Sequence, residues 1–592
     1  MEKIYEAAKG NLSESAAQNV VDWLEKPKYA EYRDELVQMI EAGQWQELED
    51  GFFKIIEFGT GGRRGTTGIG SNRINRVTMG ESAQALCEYA KRFDAEAPQK
   101  GVVIACDTRL SSPELSEYVA TVCAANGFTT YIFDGFRSTP ELSFALRELG
   151  CAAGIVVSAS HNPPADNGFK AYWSDGGQLV PPHDKGVLDA AADIENIASC
   201  HYQHAVADGK IVIIDDEIDQ KYIAAVVAEA EGDVRDLKIV YSPLHGAGQR
   251  NTLPVLEAAG FAVDTVEAQM VPDGNFPTVQ GGKPNPEEKS ANDMAVDQML
   301  STEADIAITN DPDADRIGVI VRQGSEAVYL NGNQSAVLAT EYALRKRHEK
   351  GSLVPTNYIA KTIVTTDMLD ALAAAYNVKC YGNMLIGFKY IGELILAKEN
   401  TNEEFVIGGE ESYGLLKGTY TRDKDGAVGA LPLAEYAAEL KQSGKTLWDR
   451  LLELFGENGV YAESLDNVMF PGAKGFDDMQ QIMSSLRSNP PKEINGHPVT
   501  AVLDYKSLER KDVVNNTTES IDCISGNVVV LEFDGDKRRR VTIRPSGTEP
   551  KIKIYAQWYE AASSDVESQY HEIVEKLKQL TGAFDALMKG AL

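Results

Sequence analysis

The sequence predicts an α/β fold, with three similar mixed-sheet α/β domains followed by a smaller α+β C-terminal domain. Three observations carry this expectation. Apolar strand runs, polar loops and helical stretches alternate through most of the 592 residues, the order expected of parallel sheets. A helix end reading A-A-N-G-F at 124–128 is echoed by E-A-A-G-F at 257–261. From about residue 490 the alternation gives way to short strands and turns, closed by one long helical stretch.

Taken in order, residues 14–53 read as helix, because apolar positions such as Val20, Trp23, Leu24, Leu36, Met39 and Ile40 recur at three and four. The glycine-rich F-G-T-G-G-R-R-G-T-T-G-I-G at 58–70 breaks that pattern. Val102–Ala105 is a buried-strand run, Ser111-Ser112-Pro113-Glu114 opens a helix, and Ala125–Phe128 ends it. Lys238–Tyr241 begins a second unit of the same design. A third opens near Asn333 with a helix expected over 335–347 and continues to about residue 460. Strands are expected over 527–532 and 541–544, and a final helix over 565–588. The expected domains are 1–54 (a helical extension of the first domain), 55–218, 219–328, 329–465 and 466–592.

Composition narrows the function. Asp plus Glu number 89 against 57 Lys plus Arg, a formal charge of -32, so nucleic acid and anionic membrane are not expected partners. Seven scattered cysteines with no C-x-x-C suggest reduced thiols. The opening MEKIYEAAKGNLSESA has no apolar signal region, and no apolar run approaches membrane-spanning length, so the expectation is a cytoplasmic protein.

Four stretches could carry chemistry. S-A-S-H-N-P-P at 158–164 follows the apolar run 154–157, placing Ser160 at the carboxyl end of a strand, where open α/β sheets bind ligands. Ser160 could be an acyl-transfer nucleophile, though no G-x-S-x-G surrounds it, or it could carry a phosphoryl group. His161, as the adjacent residue, suits an anion donor better than a base for Ser160. T-N-D-P-D-A-D-R at 309–316 alternates Asp311, Asp313 and Asp315 between two strand-like runs. Such carboxylates repel unless a cation or a raised pKa relieves them, and oxygen-only ligands suit a hard ion such as Mg²⁺. Arg316 beside that cation would suit an anionic ligand. G-G-E-E-S-Y-G at 408–414 could meet sugar hydroxyls. R-P-S-G-T-E-P-K at 544–551 offers a guanidinium fork, hydroxyls and glycine-exposed N–H groups, a phosphate cradle without the P-loop signature. His201 and His204 lack a third ligand beyond Cys200 and make a poor zinc site.

These stretches, in this order, resemble the α-D-phosphohexomutase superfamily: S-A-S-H-N-P its phosphoserine loop, D-P-D-A-D-R its metal loop, G-E-E-S its sugar loop, R-P-S-G-T-E-P-K its phosphate loop. F-G-T-G-G-R-R-G at 58–65, C-D-T-R at 106–109, S-P-L-H-G at 242–246 and G-F-K-Y-I-G at 387–392 extend the likeness over roughly residues 55–556. The helical extension and the pairing of D-P-D-A-D-R with G-F-K-Y-I-G are most similar to the phosphoglucomutase-2 / phosphopentomutase branch and to bacterial α-phosphoglucomutases.

The resemblance implies an isomerase whose domains surround a central cleft and whose substrate is a small sugar phosphate. Ser160 would carry phosphate. Asp311, Asp313, Asp315 and a phosphoserine oxygen would hold Mg²⁺. Arg64, His161 and Lys170 would support transfer, with Lys170 as base if surrounding cations keep it neutral. Arg316, Lys389, Glu410 and Ser412 would bind the sugar, and Arg544, Ser546, Gly547 and Thr548 the non-reacting phosphate. Glucose 1,6-bisphosphate would prime the enzyme, a monomer or homodimer. Phosphopentomutase and phosphomannomutase readings share this mechanism. A metal-dependent glycosyltransferase and a non-catalytic sugar-phosphate-binding protein are the alternatives of other classes. Two positions depart from the family pattern: Arg63, which would add charge near the site, and Ile386 before G-F-K, which puts the sugar-specificity loop in question.

Overall fold

The structure, a computed structural model, describes residues 2–57, 62–470, 474–546 and 551–590. They form two compact units. One takes residues up to 230, 235–329 and 418–431; the other takes 231–234, 330–417 and 432–592.

The first unit begins with helices Glu2–Asn11, Glu14–Glu25, Arg33–Glu41 and Trp45–Phe52, joined through a 3₁₀ turn Pro27–Tyr32. They enclose their own core of Trp23, Leu24, Leu36, Ile40, Leu48 and Phe52. A six-stranded mixed sheet follows, in the order Gly62–Thr66, Asp166–Trp173, Ala153–Val157, Val102–Cys106, Thr130–Phe133, Ile211–Ile214. Its first two junctions are antiparallel and the other three parallel. The central strands Ala153–Val157 and Val102–Cys106 are apolar throughout and buried along their whole length, as a sheet covered on both faces requires. A five-stranded sheet orders Glu326–Leu330, Ile317–Gln323, Ile306–Asn310, Lys238–Ser242 and Ala262–Thr265.

In the second unit a four-stranded sheet orders Lys379–Tyr381, Asn357–Lys361, Glu404–Glu410 and Gly414–Lys417. Its leading helix is Gly332–Glu349, three residues earlier than expected. Asn331 and Gln334 form a reciprocal cap there, polar groups that apolar periodicity does not register. The C-terminal sheet runs Val460–Met469, Lys551–Glu560, Asp536–Pro545, Val529–Phe533, His497–Asp504, Glu509–Asp512, Thr517–Ser520.

Pairing corrects two expectations. Val460–Met469 spans the expected boundary at 465/466 and belongs to the C-terminal sheet through its antiparallel ladder with Lys551–Glu560. Residues 418–431, expected within the third domain, pack with the first unit. The strand expected over 541–544 is longer, Asp536–Pro545, because K-R-R-R hides its strand character while ion pairs hold it. Arg538 binds Asp536 at 2.8 Å, and Arg540 grips both carboxylate oxygens of Asp367 at 2.5 and 2.8 Å.

Candidate active site

The stretch after Ala153–Val157 contains two serines with different tasks. Ser158 Oγ donates to Asp107 Oδ2 at 2.6 Å and accepts the Ser160 N–H at 2.8 Å, so it shapes the turn. Ser160 takes a left-handed backbone (φ 52°), which turns its side chain outward from the strand line. Its Oγ donates to Asp311 Oδ2 at 2.7 Å and lies 3.2 Å from His161 Nδ1. His161, expected to suit an anion donor better than a base for Ser160, is brought by the same turn within reach of the hydroxyl.

Arg109 holds this loop from below. Fully buried, it donates to the carbonyls of Ser160 (2.6 Å), Asn162 (2.6 Å), Pro163 (2.6 Å) and Asp166 (2.9 Å), while its Nε meets Asp107 at 3.1 Å. Its role was not legible in the sequence. C-D-T-R signals a strand end, but nothing local shows that its guanidinium reaches residues more than fifty positions away.

The three aspartates lie on the turn between the antiparallel strands Ile306–Asn310 and Ile317–Gln323. Ala314 is left-handed there (φ 52°), and Gly246 permits close approach, since a Cβ at that position would lie 2.4 Å from Pro312 Cα. All three carboxylates are buried, and one oxygen of each lies within 4.8 Å of the others. Asp313 Oδ1 and Asp315 Oδ1 have no hydrogen-bond partner among the described residues. Buried, converging, orphaned oxygens fit a hard divalent cation. His201 and His204 rings sit 4.4 Å apart, but no third His, Cys or acid joins them among the described residues.

Cations complete the cluster. Lys170 Nζ donates to Asp313 Oδ2 at 2.5 Å and lies 3.4 Å from Asp315 Oδ2, and Thr139 Oγ1 donates to Asp313 Oδ2 at 2.6 Å. Lys424, from the returning segment 418–431, reaches Asp315 Oδ2 at 2.9 Å; it was not singled out in the sequence. Burial, then the Asp315 and Asp313 charges, push the Asp311 carboxyl well above the usual range. For Asp315 burial acts upward too, but Lys424, Lys170 and Arg316 outweigh it and hold the group well below that range. The nearest charged partners of Lys170 are thus carboxylates, not the cations expected to keep it neutral.

Arg64 feels the charges of the same cluster. Burial pulls its pKa down first, Asp313 and Asp315 oppose this, and Arg316 and Arg109 add to the lowering. Arg316 pairs with Glu287 at 2.9 Å and lies 3.8 Å from Asp315 Oδ1. Arg63, one residue earlier, bonds Glu81 at 3.0 Å on the other face of the strand. Its charge is neutralised there, which corrects the expectation of added charge at the site.

The remaining expected residues belong to the second unit. Glu410 ends the strand Glu404–Glu410, Ser412 lies in the turn before Gly414–Lys417, and Lys389 opens the helix Lys389–Lys398. Glu410 and Lys389 are buried. Arg544 and the Glu410-Glu411 pair both act on Tyr555, whose hydroxyl is pushed up first by burial and then by Glu411, with Arg544 opposing. Arg544 and the Glu410-Glu411 pair, from two separate stretches of the sequence, thus lie close enough to influence one tyrosine. Ser546 N–H binds Lys551 O at 2.8 Å; Gly547 and Thr548 lie outside the described residues. Ile386 packs against the cluster of Ile363, Val364, Leu385 and Tyr555, a structural reason for an apolar side chain there.

Models of the phosphoglucomutase/phosphomannomutase α/β/α domains I, II and III match residues 56–198, 220–324 and 331–456. A phosphoglucomutase of Staphylococcus aureus is 35% identical over 525 residues, 86% of this chain and 90% of the relative. The chain belongs to the phosphoglucomutase/phosphomannomutase family. This phosphohexomutase is thus an enzyme of the isomerase class that moves a phosphoryl group within a sugar phosphate. A phosphoglucomutase/phosphomannomutase family protein from Burkholderia thailandensis has the same fold (TM-score 0.61, 18% identity, covering 90% of this chain and 97% of that one). So does the phosphoglucomutase pp63/parafusin from Paramecium (TM-score 0.61, 17% identity, covering 90% and 98%).

Proposed function

We propose that this phosphohexomutase interconverts glucose 1-phosphate and glucose 6-phosphate in the cytoplasm, with Mg²⁺ and with glucose 1,6-bisphosphate as primer. One observation carries the reading: the Ser160 hydroxyl donates at 2.7 Å to Asp311, beside two buried carboxylate oxygens with no hydrogen-bond partner among the described residues. The name of the Staphylococcus aureus relative favours glucose over mannose or pentose. No helix among the described residues is long and apolar enough to cross a membrane.

Asp311, Asp313 and Asp315 would hold Mg²⁺, which when bound neutralises phosphoryl oxygens as charge moves. In the forward step the phosphoryl group leaves Ser160 Oγ for a free sugar hydroxyl. The hydroxyl proton passes to a base, and Ser160 Oγ regains a proton. Lys170 is the proposed base, a role open to it only when Asp313 and Asp315 are engaged elsewhere. Arg64, His161, Lys424 and Arg316 supply donors around the moving group. When the bisphosphate returns its other phosphoryl group, the Ser160 proton leaves; Asp311 Oδ2 at 2.7 Å and His161 Nδ1 at 3.2 Å are within reach. Lys389, Glu410 and Ser412 would bind the sugar, and Arg544, Ser546, Gly547 and Thr548 the phosphate that is not reacting.

The test compares initial rates on glucose 1-phosphate, mannose 1-phosphate and ribose 1-phosphate with Mg²⁺ and trace glucose 1,6-bisphosphate, alongside Ser160→Ala. Glucose 1-phosphate should turn over fastest, and Ser160→Ala should neither turn over nor take label from the bisphosphate. Faster turnover of another sugar overturns the glucose assignment, and an active Ser160→Ala overturns the phosphoserine mechanism.

A further inference from the structure

We propose that Lys28, on the helical segment 2–53, is a positioning residue for Arg64, acting through Glu81 and Arg63; the proposal rests on the mutase reading. Arg64 sits on the strand Gly62–Thr66, which reads G-R-R-G-T and lies at the sheet edge, paired among the described residues only with Asp166–Trp173. This strand has no apolar side chain to seat it in a core. Its backbone is held on one side by that ladder, so its tilt depends on what its side chains grip. Arg63 is the buried one. From the face opposite Arg64 its Nη1 donates to Thr78 O at 2.7 Å and to Glu81 Oε2 at 3.0 Å.

The other oxygen of Glu81 belongs to Lys28. Lys28 Nζ donates to Glu81 Oε1 at 2.9 Å and to Ile194 O at 2.8 Å. The three side chains are largely buried, with relative exposures of 13% for Lys28, 9% for Glu81 and 5% for Arg63. Charged hydrogen bonds screened from water are strong and directional. A chain of them therefore runs from the helical segment to the peptide next to Arg64.

The segment is itself anchored to the chain just after the strand. Asn72 N–H binds Gly51 O at 2.8 Å, Ser71 Oγ binds Lys54 O at 2.7 Å and Arg73 Nη1 binds Asp50 O at 3.0 Å. Helices 2–53 lie outside the domain I match, which begins at residue 56. On this reading they tune the transfer step: an error of a fraction of an ångström at Arg63 passes through one peptide to a guanidinium close enough to feel the Asp313 and Asp315 charges.

The experiment measures kcat and KM for the sugar phosphate in Lys28→Met and Lys28→Arg, each also made in an Arg64→Ala background. In Lys28→Met, Glu81 keeps Arg63 as partner, so no lone buried charge is created. Expected is a fall in kcat of about tenfold with KM within about twofold, largely restored in Lys28→Arg. In the Arg64→Ala background Lys28→Met should change kcat by less than about twofold, since the group it positions is gone. An unchanged kcat in Lys28→Met overturns the proposal, as does the same factor of loss in both backgrounds. A general loss of stability acts on both backgrounds alike, so this comparison decides even if Lys28→Met is less stable. An unmutated protein without turnover strikes at the mutase reading instead.

Discussion

Arg109→Met is the perturbation that tests the active-site loop most directly. In the native protein one buried guanidinium satisfies four carbonyls, of Ser160, Asn162, Pro163 and Asp166, and pairs with buried Asp107. Hydrogen bonds to charged groups contribute about 1.5–3 kcal/mol each. A plain sum over four exceeds what is expected, because the loop can relax and water can enter. Removing one partner of a buried pair costs about 3–5 kcal/mol, and this is the better guide. Asp107 keeps the hydroxyls of Ser112 and Ser158 but loses its cation. The assay is hydrogen exchange across residues 158–170, where the Ser158 N–H is bonded to Gly168 O. A loss of about 3–5 kcal/mol in local opening accelerates exchange by about 10²- to 10⁴-fold. Labelling of Ser160 from glucose 1,6-bisphosphate should fall with it. Acceleration below about fivefold, with labelling intact, would refute the claim that Arg109 holds the loop.

Two further outcomes are expected. Asp315→Asn removes one of three converging carboxylates and one of the partners of Lys424, so the Mg²⁺ concentration for half-maximal rate should rise by more than about 100-fold; an unchanged Mg²⁺ titration would remove Asp315 from the cation site. Glu463, half-buried on the strand Val460–Met469, has its carboxyl pushed up to about 7 by burial first and by Asp367, against the Thr366 hydrogen bond. Its folded-state value lies above the ordinary 4.5, so the folded state binds the proton more tightly. Its contribution is therefore fully present below about pH 4.5 and is lost as pH rises through 7, about 1–3 kcal/mol in all. Glu463→Gln should flatten that decline in melting temperature between pH 5 and 7.5; an identical slope in both proteins would place the titration elsewhere.

The order of strands and helices, the serine after a buried strand and the aspartate triplet were legible in the sequence because each is a local pattern. Strand runs show as apolar stretches, Asp311, Asp313 and Asp315 alternate within five residues, and Ser160 follows a buried strand. Pattern reading fell short where polar groups replace apolar ones. The cap at Asn331 starts a helix early, and Arg538 and Arg540 hide a strand.

What the sequence by itself determined was the kind of chemistry and the residues able to carry it. Tertiary structure decided which groups meet. It set Arg109 beneath the Ser160 loop, brought Lys424 back to Asp315, turned Arg63 away from Arg64, and surrounded Lys170 with carboxylates. The physical reason is range. Periodicity and turn chemistry act over a few residues, whereas Lys170 reaches Asp313 across 143 positions and Ser160 reaches Asp311 across 151. Such pairings exist only once the six-stranded and the five-stranded sheets have both formed and the loop after Ala153–Val157 meets the turn after Ile306–Asn310.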